Sequence, residues 1–195
     1  IAGSEELAHH TGLNERWIRE WLRHQACVEQ VEYDAETDRF WLSPEAIAGA
    51  TAPATLAGLL VQENANTLAH VTLAQIFRPG TPVLYGTVST IANMRIGTVA
   101  LGAVETGLIT AASAQMARYY GLPCRGVGAT TESKREDLQA GLERTGTLLP
   151  AVLAGVNFIT CAGTLDSTML ESDALLVLDD EWCGAMLRLA RGIEV

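Results

Sequence analysis

The residues best suited to chemistry lie in three short segments of the second half of the chain. They are Tyr85, Asn93, Met94 and Arg95 in the first segment, Thr130, Thr131, Ser133, Lys134, Asp137 and Gln139 in the second, and Cys161, Asp166 and Ser167 in the third. No histidine follows His70, so neither a Ser-His-Asp nor a Cys-His catalytic system is supported. The segments offer hydrogen-bonding and charged groups without an activated nucleophile.

Nucleotide-binding and metal-binding motifs do not occur at these segments. Lys134 follows Ser133, but no GxxxxGK[ST] phosphate loop precedes it. The run GVGA is too short for a dinucleotide fingerprint, and no Gly-rich S-adenosylmethionine loop follows a first strand. The four cysteines form no CxxC pair, and the histidines show no zinc-ligand spacing. This pattern predicts reduced thiols and no bound metal.

A strand–helix–strand unit is predicted to position the second and third segments. Cys124–Val127 and residues 156–160 are short strand-like runs, and a helix is predicted from about Lys134 to Leu153. Its apolar face is expected to contain Leu138, Leu142, Leu149 and Val152. Such units are parallel and right-handed, so both loops should meet at the carboxyl ends of the strands. Ligands bind at that edge in α/β proteins.

The rest of the second half predicts further strands and helices of the same α/β class. The predicted helices are Thr55–Phe77, Glu105–Tyr120 and Asp180–Gly192, and the predicted strands are Thr81–Tyr85 and Ala174–Leu178. Residues 86–104 show no clear periodicity and are expected to form a long, functional or mobile connection. His70 is expected to be a hydrogen-bonded helix histidine.

Residues 4–48 have a different character. Helices are predicted at Glu5–His10 and Glu15–His24, followed by a hairpin of Val28–Tyr33 and Arg39–Leu42. This arrangement resembles a winged helix-turn-helix module. The small-residue stretch 48–53 is expected to be a linker, which divides the chain into a module of residues 1–49 and a domain of residues 50–195.

Charge and composition limit the partners of this module and of the whole chain. Arg16, Arg19 and Arg23 could form a phosphate-facing stripe, but residues 4–48 have a net charge of −6 and the whole chain −10. This acidity argues against nucleic acid and favours a packing or dimerising role. No apolar run is long enough to span a membrane, which with the cysteine pattern predicts a cytoplasmic protein. The chain begins at Ile1, so an upstream part is expected to be missing.

The second half resembles a known enzyme family. The stretches TPVLYG, ARYYGLPCRGVG and SKREDLQAGLERTGTLLPAVLAGVNFITCAGTLDS occur in the order typical of the trimethylamine methyltransferase family, and the likeness runs from about residue 50 to the end. Members are corrinoid-protein-dependent amine methyltransferases with a (β/α)8 TIM-type barrel. A full barrel takes about 250 residues, so residues 50–195 are expected to form a partial barrel. Its open edges predict a homo-oligomer or a small open sheet.

The resemblance implies methyl transfer from trimethylamine or a quaternary amine such as glycine betaine, as in methanogenesis. The methyl acceptor is a cobalt corrinoid carried by a partner protein, so this chain binds no cofactor directly. A methylated cation needs an aromatic face and carboxylates. On this reading the substrate-binding candidates are Tyr85, Glu105, Asp137 and Asp166, with Ser133 and Gln139 orienting a substrate carboxylate.

Alternatives stay open at this stage. Tyr85 can be a packing residue only, and Asp137 and Glu105 can simply favour the N-termini of their own helices. Trimethylamine enzymes of the family contain pyrrolysine, whereas this chain contains only standard residues, so the pyrrolysine position is either absent or outside this chain. If it is absent, the resemblance favours the quaternary-amine relatives. The second hypothesis is a winged-helix DNA-binding or dimerising regulatory protein with a non-catalytic α/β domain.

Overall fold

The computed structural model describes residues 2–3, 5, 8–9, 15–16, 31–34, 39–42, 46–86 and 88–193. The chain forms two compact units, one of Ile1–Pro44 with Asn64–Val83 and the other of Glu45–Glu63 with Leu84–Val195. The described helices are α1 (Leu56–Phe77), α2 (Val104–Tyr120), α3 (Leu138–Leu153) and α4 (Asp173–Ala190). The strands are β1 (Ala2–Gly3), β2 (Val31–Asp34), β3 (Arg39–Leu42), β4 (Ile47–Ala48), β5 (Thr90–Asn93), β6 (Thr98–Val99), β7 (Arg125–Val127), β8 (Phe158–Thr160), β9 (Thr164–Leu165) and β10 (Leu170–Glu171). None of these helices is long and apolar enough to cross a membrane.

The first unit contains a small antiparallel sheet. Its strand order is β1-β3-β2, and β2 pairs with β3 in the register that places Val31 opposite Leu42 across the two strands. The predicted hairpin is therefore confirmed, with its first strand at residues 31–34. Helical residues occur within both predicted helices, at Glu5, Ala8, His9, Glu15 and Arg16. Arg19 and Arg23 lie outside the described residues, so the winged-helix interpretation stays a prediction.

His70 lies in the part of α1 that belongs to the first unit. Its Nδ1 is 2.8 Å from the carbonyl oxygen of Asn66, one helical turn earlier. A histidine that bonds the backbone of its own helix has a local structural partner. The expectation of a hydrogen-bonded helix histidine is therefore confirmed.

The second unit is built from parallel neighbours in chain order. β4 pairs in parallel with β5, Tyr85 forms a parallel bridge with Cys124, and β7 pairs in parallel with β8. Helices α1, α2 and α3 lie between these successive parallel segments. The second unit is thus an α/β structure, as expected, with strand–helix repeats and with β5–β6 and β9–β10 as additional antiparallel pairs.

Among the residues that the structure describes, three small apolar clusters lie in the second unit. The first joins β4, α1 and α2 through Ala46, Ala48, Leu59 and Ile109. The second surrounds Tyr85 and Cys124, and the third joins Ala140, Leu165 and Leu175. Because many of these residues are alanines, the helices pack closely and each cluster buries little area. Burial of small side chains contributes less per residue than burial of leucine or phenylalanine.

The predicted apolar face of α3 is wrong at its N-terminal end. Leu138 and Leu142 are 79% and 66% exposed. The buried positions of α3 are Ala140, Arg144, Thr147, Leu148 and Ala151. Small and polar residues face the unit because α3 packs closely on α2 and because Arg144 finds a buried partner. The helix also begins at Leu138 rather than Lys134, since Asp137 caps its N-terminus.

Four other predicted elements differ from the structure. Residues 174–178 belong to α4, because the side chain of Ser172 caps a helix that begins at Asp173. Residues 86–104 contain the β5–β6 hairpin instead of a connection without regular structure. Only Tyr85 of the predicted strand 81–85 forms a bridge. The expected linker 48–53 begins in β4, where Ala48 is buried.

Candidate active site

The loops after β7 and β8 meet, as the parallel arrangement predicted. The backbone N–H of Asp166 donates to the carbonyl oxygen of Ser133 at 2.9 Å, and that of Ser167 donates to the carbonyl oxygen of Thr131 at 2.9 Å. We call these segments the β7 loop (residues 128–137) and the β8 loop (residues 161–169). Two backbone hydrogen bonds fix their relative position, so their side chains share one region of the second unit.

Two carboxylates that sequence reasoning missed hold these loops in place. Glu143 of α3 accepts hydrogen bonds from the Thr131 hydroxyl at 2.7 Å and from the Glu132 N–H at 2.8 Å. Glu132 accepts one from the Gly102 N–H at 3.1 Å and one from the Ser167 hydroxyl. Charge-assisted bonds of this kind are the stronger class. Glu132 and Glu143 thus stabilise the conformation of the two loops. The sequence does not show this role, because it depends on partners that are distant in sequence.

Asp137 and Ser133 form the N-terminal cap of α3. The Asp137 carboxylate accepts from the Ala140 N–H at 2.9 Å and from the Ser133 hydroxyl at 2.9 Å. These hydrogen bonds, with that from Ala140 first, lower the pKa of the Asp137 carboxyl. Gln139 donates to Glu143 at 2.9 Å. The structure therefore gives Asp137 the helix-capping role that was the open alternative.

The other three predicted site residues have different contacts. Tyr85 is only 1% exposed and packs within the cluster of Ala114, Ala117 and Cys124, with its ring 5.7 Å from that of Tyr120. Burial, and secondarily the nearby Glu63 charge, raises the pKa of Tyr85. Glu105 lies in the first turn of α2, and Asp166 forms a 3.3 Å ion pair with Lys134. None of these contacts places the three side chains around one ligand.

A cavity of about 470 Å³ is lined in part by the β8 loop. Its lining residues are Ile47, Val88, Val99, Leu101, Arg125, Thr160, Cys161, Thr164, Ser167, Thr168 and Glu171. Cys161 and Ser167 were expected in this region, whereas the six substrate-binding candidates do not line the cavity. Asp166 directly precedes the lining residue Ser167 in the sequence. The backbone N–H of Arg125, another lining residue, donates to the carbonyl oxygen of Tyr85 at 2.8 Å.

The cavity combines an apolar wall with hydroxyls and two opposite charges. Ile47, Val88, Val99 and Leu101 supply the apolar wall. Arg125 and Glu171 supply the charges, and the ion pairs among the described residues join other partners, Lys134 with Asp166 and Arg144 with Asp179. An arginine in a short strand that is otherwise Gly-Val was the sequence signal that could have revealed this site.

A second cavity, of about 220 Å³, is less suited to a charged ligand. It lies among α3, β8 and α4 and is lined mainly by apolar side chains such as Leu148, Val152 and Met186. Of its lining residues, only Cys183 has an ionisable side chain, and burial raises the pKa of that thiol. The charged cavity is therefore the candidate active site.

The cap of α3 predicts a pH effect. Because the pKa of Asp137 is lowered by folding, its stabilising effect is complete above about pH 4 and is lost as the pH falls through the lower folded pKa. Asn also caps helices but does not titrate. We expect the urea midpoint of the unaltered chain to fall more steeply than that of Asp137→Asn between about pH 4 and 2.

The control for this experiment is Asp180→Asn, which replaces an exposed aspartate of α4. Its urea midpoint should follow that of the unaltered chain across the same pH range. Parallel pH profiles for the unaltered chain and Asp137→Asn would contradict the capping role of the ionised carboxylate.

Alternating parallel strands and helices, with a cavity lined in part by the loop that follows β8, define the second unit as an α/β structure. Residues 25–195 match the family model of trimethylamine methyltransferase (MTTB), and the chain belongs to that family. The resemblance noted in the sequence is thereby confirmed. The match begins earlier than residue 50 and includes the β2–β3 hairpin.

Curated relatives show the same relationship. The chain is 46% identical over 147 residues to the glycine betaine methyltransferase of Desulfitobacterium hafniense, covering 75% of this chain and 31% of the relative. It is 41% identical over 150 residues to trimethylamine methyltransferase MttB1 of Methanosarcina acetivorans (77% and 30%) and 44% identical over 146 residues to the proline betaine:corrinoid methyltransferase of Eubacterium limosum (74% and 30%). The chain thus spans about three tenths of the length of these relatives.

Proposed function

We propose that this chain is part of a methyltransferase that moves a methyl group from a methylated amine to a corrinoid protein. The observation that carries the proposal is the cavity lined by Arg125 of β7 and by the β8 loop, in a chain of the trimethylamine methyltransferase family. Trimethylamine and quaternary amines such as glycine betaine are the candidate methyl donors. The names of the relatives include both kinds of amine, and one name includes corrinoid.

The cavity residues suit the binding of a methylated ammonium. Glu171 provides a negative charge, and the apolar wall of Ile47, Val99 and Leu101 can surround methyl groups and exclude water. A neutral amine leaves when the methyl group departs, so the site needs no strong acid. Cobalt of the reduced corrinoid supplies the nucleophile and is held by the partner protein. The role of this chain is then to hold and orient the amine.

We propose that the second unit is part of a (β/α)8 barrel. β4 with β5, Tyr85 with Cys124, and β7 with β8 are parallel neighbours in chain order, which is the arrangement of successive barrel strands. The antiparallel sheet of β1, β2 and β3 supports a winged helix-turn-helix module within residues 1–49, followed by the barrel part at residues 50–195. Strand β4, at the end of the first range, pairs with β5 of the barrel part. In this arrangement the cavity lies where the catalytic loops of such barrels are found.

Apolar side chains exposed on α3 and α4 support association with further protein. They are Leu138, Leu142, Leu153, Leu176, Val177, Leu178, Leu187 and Leu189. Exposed apolar patches commonly mark interfaces. We propose that a second copy of the chain covers part of this surface, in a cytoplasmic homo-oligomer without nucleic-acid or membrane partners.

Calorimetric titration of the purified chain with glycine betaine, trimethylamine and choline tests the proposed function. We expect saturable binding of at least one methylated amine. Glu171→Gln removes the negative charge of the cavity and should weaken that binding about threefold to tenfold, a range set by one partly solvated ion pair. Glu181→Gln, which changes an exposed glutamate of α4, should leave binding unaltered.

Absence of heat with all three ligands, from a chain shown by circular dichroism to be folded, would contradict an amine site in this chain. Equal weakening by Glu171→Gln and Glu181→Gln would contradict the assignment of the site to this cavity.

A further inference from the structure

Residues 166–168 of the β8 loop have an unusual backbone conformation. Asp166, Ser167 and Thr168 have φ angles of +49°, +52° and +69°, so three consecutive non-glycine residues lie in the left-handed region. Residues with a Cβ avoid this region, and the β-branched Thr168 is the least suited to it of the three. Strain of this kind persists only where the surrounding structure holds it, and it is concentrated at functional sites. We call residues 166–168 the left-handed turn.

The β7 loop supplies the contacts that hold the left-handed turn. The N–H groups of Asp166 and Ser167 donate to two carbonyl oxygens of the β7 loop, each at 2.9 Å. The Ser167 hydroxyl lies within hydrogen-bond distance of both the Glu132 carboxylate and the carbonyl oxygen of Val99. A hydroxyl donates one hydrogen bond, and the charged acceptor is the stronger one. The Lys134–Asp166 ion pair contributes little, because Lys134 is 74% exposed.

Glu132 is itself held in place by other parts of the second unit. Its carboxylate accepts the N–H of Gly102, just before α2, at 3.1 Å. A Cβ at Gly102 would lie 2.8 Å from the backbone nitrogen of Glu132 and 2.9 Å from the Cα of Thr131, so this close approach requires glycine. The Glu132 N–H in turn donates to Glu143 of α3 at 2.8 Å. Glu132 is therefore a fixed acceptor for the Ser167 hydroxyl.

The left-handed turn forms part of the wall of the candidate active site. Ser167 and Thr168 line the cavity, whereas Glu132 does not. Val99, which carries the alternative acceptor of the Ser167 hydroxyl, lines the cavity as well. Relaxation of the turn toward a favoured backbone conformation would move two lining residues and change the shape of the cavity. The position of this wall thus depends on a carboxylate that lies outside the cavity.

We infer that Glu132 is a positioning residue of this cavity: by accepting the hydrogen bond of the Ser167 hydroxyl, it holds the left-handed turn and keeps Ser167 and Thr168 where a ligand meets them. The inference rests on the proposed function for its ligand, a methylated amine, and adds a residue that acts on binding without contacting the amine. Glu132 and the ligand then favour the same conformation of the turn. Because such coupling is reciprocal, loss of Glu132 weakens ligand binding and the bound ligand protects the turn.

Amide hydrogen exchange of the chain without ligand tests whether Glu132 holds the turn. Glu132→Ala should accelerate exchange of the Asp166 and Ser167 N–H groups about tenfold or more, the equivalent of one charge-assisted hydrogen bond. Glu132→Gln keeps an acceptor oxygen without the charge and should accelerate exchange less. The matched control is Glu136→Ala, which removes another glutamate of the β7 loop whose carboxylate binds Ser172 instead. It should leave both exchange rates unaltered.

Calorimetric titration with glycine betaine and trimethylamine tests whether the turn serves the ligand. Binding of whichever amine the unaltered chain takes should weaken about tenfold in Glu132→Ala, less in Glu132→Gln, and not in Glu136→Ala. A saturating concentration of that amine should slow exchange at Asp166 and Ser167 of the unaltered chain about fivefold or more. A merely structural role would not make exchange at the turn depend on ligand. This comparison needs no variant, so it decides the case even if Glu132→Ala fails to fold.

The outcomes separate the positioning role of Glu132 from the proposed function. Amine binding that is equally tight in Glu132→Ala, or that leaves exchange at the turn unaltered, would overturn the positioning role and leave the proposed function in place. Unaltered exchange in Glu132→Ala without ligand would overturn the hold of Glu132 on the turn. No binding of either amine to the folded chain would overturn the proposed function and any role of Glu132 in amine binding, while the exchange rates would still decide whether Glu132 holds the turn.

Discussion

Replacing Asp179 with alanine is expected to lower the free energy of unfolding by about 3–5 kcal/mol, the cost of leaving one member of a buried ion pair alone. Asp179 and its partner Arg144 are 2% and 1% exposed. Asp179 also accepts the Gly163 N–H at 2.6 Å, and Arg144 donates to the carbonyl oxygen of Thr164 at 2.8 Å. The pair thus joins α3 and α4 to the start of the β8 loop.

Urea unfolding monitored by circular dichroism measures this loss. The control is Lys134→Met, which breaks the Lys134–Asp166 pair, where Lys134 is 74% exposed. Exposed pairs contribute about 0–1 kcal/mol. A loss in Asp179→Ala no larger than that in Lys134→Met would contradict the structural role of the buried pair.

A double variant separates the cost of an unpaired buried charge from the cost of altered packing. Arg144→Met with Asp179→Leu removes both charges and keeps apolar volume, so it should recover most of the stability lost in Asp179→Ala. Recovery is favoured because Arg144 Nε is a buried donor without a partner among the described residues. If the double variant is as unstable as Asp179→Ala, the loss comes from packing and not from an unpaired charge.

Replacing Gly86 with alanine is expected to destabilise the chain by roughly 2–5 kcal/mol, combining an unfavourable backbone conformation with an overpacked site. Gly86 has a φ angle of +133°, and a Cβ there would lie 1.9 Å from the carbonyl oxygen of Arg125. That carbonyl belongs to β7, which is held on both sides by Tyr85 and β8. The clash therefore cannot be relieved by moving a flexible side chain.

Gly97→Ala is the control for this prediction. Gly97 also has a positive φ, +69°, but no atom lies within 4 Å of its added Cβ. Its cost should be limited to the backbone preference, about 1–2 kcal/mol. Equal losses for Gly86→Ala and Gly97→Ala, measured by thermal and urea unfolding, would show that the close approach of Gly86 to β7 has no energetic consequence.

The order of secondary structure elements in the second unit was largely predictable from local signals. Helix α1 was expected at 55–77 and is found at Leu56–Phe77, and α2 ends before Gly121, which adopts the left-handed conformation at the helix C-terminus. Periodicity and glycine position act over a few residues, so the sequence alone shows them. Strand–helix alternation and the handedness rule then predicted that the β7 and β8 loops would meet.

The buried face of α3 was not predictable in the same way. Leu138 and Leu142 have the spacing of a core face, but they are exposed while Arg144 and Thr147 are buried. The spacing of leucines shows which residues share one side of a helix, but it does not show whether another element packs against that side. The choice of face came from the close fit of α3 against α2 and from the partner that Asp179 provides for Arg144.

By itself the sequence predicted the α/β class, most of the strand–helix order, the family and the meeting of the β7 and β8 loops, because each depends on patterns within short segments. Only the tertiary structure decided which side chains surround the cavity. Ile47, Arg125 and Glu171 come from distant parts of the chain and line one space. The capping of α3 by Asp137 and the burial of Tyr85 likewise depend on partners brought close by folding. The sequence specifies the chemical type of each side chain, whereas tertiary packing brings side chains from distant parts of the chain close together.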